Sequence, residues 1–378
     1  MIVGALGTRG RACVDERGGV TVPGEDWSLC WWIGADDRVR DPAREPSVRQ
    51  VASATAPVPE TRLRVPGGDV VQSVYGIGGP GGLVVVEVEN TSPAAVVVGF
   101  GLIGARSIVV TSTGSATWLA LDGREVFALP FAPPRWTAGA GPVDPLTPGE
   151  RTGPMPAMRD RDGLGLALLY PLSHRSRMRV VLATSWEEPG AVDLARVPDA
   201  RQVTRGWERH LARGMRTVLP DTAAQQAVDL ARTQVLLDPD PDAETAAALE
   251  DWGFDVEATW AWRGLSLRSR RRAARRESLG AGDGPAALLL RVRRALVREH
   301  EGTIDLLPSV ESGNVEVHGA PTRLGTVGFA LRRHGERAAL LWEVADPAPG
   351  LVLRAPALDP SWSTTDPAGK AFLTPTRP

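Results

Sequence analysis

Four carboxylates and three indoles crowd the segment LEDWGFDVEATWAWR (249–263). Glu250, Asp251, Asp255 and Glu257 stand beside Trp252, Trp260 and Trp262. Hydrolysis of a glycosidic bond needs two carboxyl groups, one protonated as general acid and one ionised as base or nucleophile. An apolar indole wall raises the pKa of a nearby carboxyl by disfavouring its charge. Indoles also stack on the C–H faces of sugars and leave the hydroxyl rim to carboxylates and arginines. Gly253 reads as the break between two helices, so acids from both can converge at the mouth. The same acids equally suit a helix N-terminus, where they cap the chain and offset its dipole.

A second cluster lies in ESGNVEVHGAPTRLGTVGFALRRHGERAALLWE (311–343). Glu311, Glu316, His318 and Arg323 can meet across a turn, and Glu343 follows Trp342. Alternation in NVEVHG puts Glu316 and His318 on one face of a strand. That pair reads either as a polar ligand site or as a solvated sheet face. As a catalytic scheme, Glu257 or Asp255 is the acid and Glu311 or Glu316 the base. Asp251, Trp252, Trp260, Trp262, His318, Arg323 and Trp342 would then hold the sugar.

Other chemistries find less support. The five histidines form no close ligand pair, and Cys13 and Cys30 are too few for a four-thiolate zinc site, so no metal is expected. The glycine runs GIGGPGG (76–82) and GFGLIG (99–104) sit among strand residues, without the strand–turn–helix setting of a dinucleotide fold. No cofactor is expected. The arginine-rich stretch 263–276 reads as a solvated or salt-bridged helix face. With 43 basic and 45 acidic residues the formal charge is −2, which does not suit a nucleic-acid binder. Lys370 is the single lysine, so a lysine nucleophile has almost no candidates.

The elements that must position these residues follow from pattern. A chain of 378 residues allows about two or three domains. Residues 1–190 carry short β-branched runs punctuated by Gly and Pro, which predicts an antiparallel β-sandwich. A linker over 191–204 follows. Residues 205–301 predict a bundle of short helical hairpins. Asp221 serves as an N-cap, Gly253 as a stop, Ser266 as a further N-cap and Pro285 as a first-turn residue. Strand patterns return over 302–378, a β segment packing on the helices, with a meander over 303–356 and a hairpin turn at 334–336. The class is therefore α+β and multidomain. No run of 18 apolar residues occurs, and the N-terminus has no signal-like segment, so no membrane partner and a cytoplasmic location are expected.

The phrases LPDTAAQQAVDLARTQVLL, LEDWGFDVEATWAWRGLSLRSRRRAARR, VEVHGAPTRLGTVGFALRRHGERAALLWE and APALDPSWSTTDPAGKAF resemble actinobacterial proteins related to glycoside hydrolases. Those are similar to six-hairpin proteins of the glucoamylase and glycogen-debranching type. The resemblance covers 205–378, and the N-terminal region more loosely. It implies a β-sandwich before an α/α barrel and a site for an oligosaccharide or glucan. A full barrel of about twelve helices needs roughly 300 residues, and the helical stretch here has about 95, so the bundle resembles a truncated barrel. Three functional readings follow. The leading one is a carbohydrate binder of glycosidase ancestry with little or no hydrolysis. The second is a glycoside hydrolase. The third is a structural or interaction protein, a homo-oligomer whose partner completes the helical ring.

Overall fold

The computed structural model describes all residues except 80, 114–115, 142–150, 186–191, 268–278, 308–312, 335–336 and 374–378, and it leaves out the side chains of 112–113, 116, 334 and 337. Glu311, Trp186, the turn at 334–336 and most of the arginine-rich stretch capped by Ser266 lie outside the described residues. The chain divides into two compact units, Met1–Gly206 and Trp207–Pro378. Helices and C-terminal strands therefore share one unit.

The first unit is a single 15-stranded sheet whose named pairings are all antiparallel. The two layers expected of a sandwich are joined in one hydrogen-bonded surface. The strand Val96–Thr113 makes the bend. Its first half pairs with Ser28–Gly34 on one side and Met158–Leu172 on the other, and its second half pairs with Ala116–Leu121. Register shifts fall between, at Ile103/Ala105 and Ala105/Ser107. Gly104 sits there at φ 102°, and a Cβ on it would lie 2.5 Å from the Asp26 carbonyl oxygen. Only glycine tolerates both conditions, and a bulge is the usual device for turning a strand. The sheet curls until distant strands meet. A Cβ on Gly76 would lie 2.0 Å from the Gly4 backbone carbon.

Alternation decides which side chains enter the core inside this curl. In Leu83–Asn90, Val84, Val86 and Val88 enter the core with Trp31, Phe100 and Tyr170. Trp27, Trp31, Trp32, Trp118 and Trp136 are all buried. For these indoles packing is the whole explanation, since each removes a large apolar area from water. The opposite side of the same strand carries Glu87. The Arg179 guanidinium donates to it at 2.6 Å, and the Tyr75 hydroxyl lies 3.2 Å from it and 2.8 Å from the Pro198 carbonyl oxygen. Arg179 also donates to the Val197 carbonyl at 2.9 Å. These bonds strap residues 197–198 across the outer face of the sheet.

A helix α1 (Ala200–Leu211) begins inside the stretch expected to be a linker. The described residues of the second unit then hold α2 (Thr222–Leu236), α3 (Ala243–Asp251), α4 (Asp255–Gly264) and α5 (Pro285–Leu296). Asp221 caps α2 by accepting from the Ala223 and Ala224 amides, and Asp242 caps α3 through the Thr245 amide. Pro285 occupies the first turn of α5, where its missing N–H costs nothing. Two sheets accompany the helices. Five antiparallel strands run in the order Arg216–Val218, Val315–Thr322, Gly325–His334, Arg337–Ala345 and Ala368–Leu373. Four more run Val297–His300, Thr303–Leu306, Val352–Ala355 and Asp359–Thr364. The expected meander is thus split between two sheets. Its first strand, Thr303–Leu306, pairs in parallel with Val352–Ala355, and the long excursion between them supplies the crossover that parallel pairing needs.

Candidate functional site

The cleft of the second unit is built around the end of α3. Gly253 adopts φ 79° after it. Its amide donates to the Glu250 carbonyl at 3.1 Å, and the Phe254 amide to the Leu249 carbonyl at 2.9 Å. This pair of bonds is a Schellman ending, which glycine favours because it enters the left-handed region without strain. The reversal sets Glu250 and Asp251 on the last turn of α3 and Asp255 at the first turn of α4.

Three walls meet at one buried side chain. Arg293 lies on the core face of α5, four residues after Leu289 and three after Leu290, and is 7% exposed. Its guanidinium donates to the Asp251 carbonyl at 3.3 Å, to the Pro321 carbonyl at 2.7 Å and to the Val297 carbonyl. Those carbonyls belong to α3, to the hairpin strand Val315–Thr322 and to the strand after α5. One planar fork thus fixes the floor of the cleft. The hairpin tip is Arg323–Leu324, closed by Thr322 donating to the Gly325 carbonyl at 2.6 Å. Glu299 holds the tip, its carboxylate accepting the Arg323 amide at 3.0 Å.

The cleft between these walls has a volume of about 870 Å³. Glu250, Asp251, Asp255 and Glu299 line it with Arg293, Arg294, Arg298 and Arg323. The lining is charged and balanced. Glu250 accepts the Trp262 indole N–H at 3.1 Å, which sets a half-buried indole beside the carboxylates. Asp255 and Trp262 are seven residues apart on α4 and so share a face.

The candidate residues from the sequence therefore separate into groups. Asp251, Asp255 and Arg323 come together in the cleft, with Trp262 joined to it through Glu250. Trp252 is fully buried, donating to the Leu289 carbonyl at 3.0 Å, with the Arg232 guanidinium 5.7 Å over its ring. Trp260 is 52% exposed and lies five residues from Asp255, on a different helical face. Glu257 pairs with His210 at 3.1 Å, and that imidazole stacks on Phe254 with 6° between the planes. Burial holds His210 below the ordinary histidine pKa, while the Glu257 charge works against that shift.

Glu316 and His318 form the pair that alternation suggested, 3.0 Å apart. Arg332 also donates to Glu316. These hydrogen bonds lower its pKa and keep the carboxylate ionised. Neither Glu316 nor His318 lines the cleft. Trp342 is buried, donating to the Asp366 carbonyl at 3.0 Å and meeting Trp362 edge to face. Sequence reasoning passed over Arg293, Arg298 and Glu299. Only Arg293 carried a signal, an arginine in step with the leucines of an apolar helix stripe.

Among the described residues no group of three or more His, Cys, Asp or Glu is placed to hold a metal ion. No described helix is long and apolar enough to cross a membrane. No family model matches the chain, and no curated protein matches it. A solved structure described as a kojibiose phosphorylase from the human microbiome is 8% identical, with a TM-score of 0.30. The match covers 55% of this chain and 31% of that one, so this chain spans less than a third of its neighbour. At that TM-score the likeness carries no argument about fold or activity.

Proposed function

We propose that the second unit binds a carbohydrate in the cleft between α3, α5 and the 315–334 hairpin. One observation carries this reading. Asp251, Asp255 and Arg323 line one cleft whose Glu250 also holds the Trp262 indole. A polyhydroxylated ligand suits such a lining, because carboxylates accept from hydroxyls, guanidinium groups donate to them, and an indole covers a C–H face. The resemblance of residues 205–378 to six-hairpin proteins points the same way. Hydrolysis is not part of the proposal. Glu311 lies outside the described residues, and of the described acids considered for it only Asp255 lines the cleft, while Glu257 and Glu316 are engaged elsewhere.

Calorimetric titration with malto-oligosaccharides and with uronate-containing oligosaccharides tests it. Binding at millimolar ligand or below is expected. Asp255→Asn and Trp262→Ala should each weaken it at least tenfold and leave the far-ultraviolet dichroism unchanged. Absence of binding to every oligosaccharide overturns the proposal.

A further inference from the structure

Two of the four cleft arginines have structural duties and two do not. Arg293 is spent on three carbonyls, and Arg294 donates to the Leu279 carbonyl at 2.5 Å. Arg298 and Arg323 are exposed, line the same cleft, and have no side-chain hydrogen bond or ion pair among the described residues. Both are nonetheless held by rigid backbone. Arg298 lies on the strand Val297–His300, whose first carbonyl Arg293 grips. Arg323 is the tip of a two-residue hairpin turn that is closed by Thr322, tethered through Glu299, and gripped by Arg293 at Pro321. A surface arginine ordinarily waves in solvent. Here a buried guanidinium fixes the backbone of both.

Among the described residues no salt bridge joins either of them to an acid of the lining. Glu299 spends an oxygen on the Arg323 amide and Glu250 on the Trp262 indole. The other basic group of the lining, His300, is occupied, its Nε2 lying 2.6 Å from the Arg354 guanidinium. Two guanidinium groups on fixed backbone in the lining of one cleft suit an anion. The planar fork of arginine matches the paired oxygens of a carboxylate or a phosphate ester.

We infer that the ligand of this cleft carries an anionic group, which Arg298 and Arg323 clamp while Asp255 and Trp262 take the sugar ring. The inference rests on the carbohydrate reading above and names its substrate class: an acidic saccharide, either a uronate or a sugar phosphate.

Matched probes separate the cases. Titrate the full chain with a glucuronate-terminated disaccharide, with its methyl ester, and with glucose 6-phosphate against glucose. The acidic member of at least one pair is expected to bind at least tenfold tighter at low salt, and which pair does so identifies the anion. Raising ionic strength should shrink the preference, because counterion screening weakens exposed charge contacts. Arg298→Gln with Arg323→Gln should abolish the preference, the acidic member losing at least tenfold more affinity than the neutral one, with thermal unfolding unchanged. Equal binding of acidic and neutral members, or a preference that survives the double substitution, overturns the anion clamp and leaves the carbohydrate reading standing. If no sugar binds while malto-oligosaccharides fail as well, the carbohydrate reading itself falls.

Discussion

The outer face of the N-terminal sheet and the cleft of the C-terminal unit use the same residue types to opposite ends. In the first, Glu87, Arg179 and Tyr75 form a closed set with the Val197 and Pro198 carbonyls. Glu87 is 4% exposed, and its carboxylate has partners of both kinds it can use, a cation and a hydroxyl. In the second, Arg293 is equally closed, but Arg298, Arg323 and Asp255 face a cavity. A buried charge is tolerated only when its hydrogen bonds are complete. A charge on the wall of a cleft is free to exchange water for a ligand. The contrast is therefore between polar groups that finish the fold and polar groups that the fold presents.

The largest break in that contrast should come from Arg293→Ala. It leaves carbonyls of three elements without their donor and opens a void, and it should lower the stability of the second unit by about 3–5 kcal/mol. Arg293→Lys should rescue little, since an ammonium has no planar fork. Urea unfolding checks both, and a loss under about 1 kcal/mol would remove Arg293 as the floor of the cleft. Next comes Glu87→Ala, expected to cost about 2–3 kcal/mol by stranding Arg179 and loosening the 197–198 strap. Limited proteolysis near residue 197 should accelerate in that variant.

A graded effect is expected at His210. Its folded-state pKa is depressed below the ordinary value of 6.5, chiefly by burial. As pH falls through that region, the unfolded chain takes up a proton that the folded chain resists. Stability is then whole above about pH 6.5 and declines as pH drops toward the folded value. His210→Phe should flatten this slope between about pH 7.5 and 5.5 in urea titrations, and a steeper slope in the variant would reverse the assignment. The smallest effect belongs to Arg298→Gln with Arg323→Gln, which should move stability by no more than about 0.5 kcal/mol. A large loss there would show that these arginines finish the fold after all, and would erase the contrast.

Much of the helical unit was legible because its signals are local. Asp221 caps α2 and Pro285 opens α5, and Gly253 ends α3, since each of these roles depends on a few neighbouring amides and one backbone angle. The joining of both N-terminal layers into one sheet was not legible. It depends on a bulge at Gly104 whose need appears only when Asp26 packs against it. Glu257 and Asp255 are two residues apart and chemically alike, yet one faces His210 and the other lines the cleft, because two residues on a helix point to different sides.

By itself, then, the sequence determined where helices start and stop, which strands are apolar, and that acids and indoles gather near 250. Periodicity and capping are properties of short stretches of chain. Tertiary structure alone decided that Trp252 is core, that Glu316 is bound by Arg332 and His318, and that Arg293, Arg298 and Arg323 divide into one that holds carbonyls and two that face a cavity. Whether an arginine is spent or free depends on which carbonyls and carboxylates from distant segments arrive beside it, and no local pattern encodes that arrival.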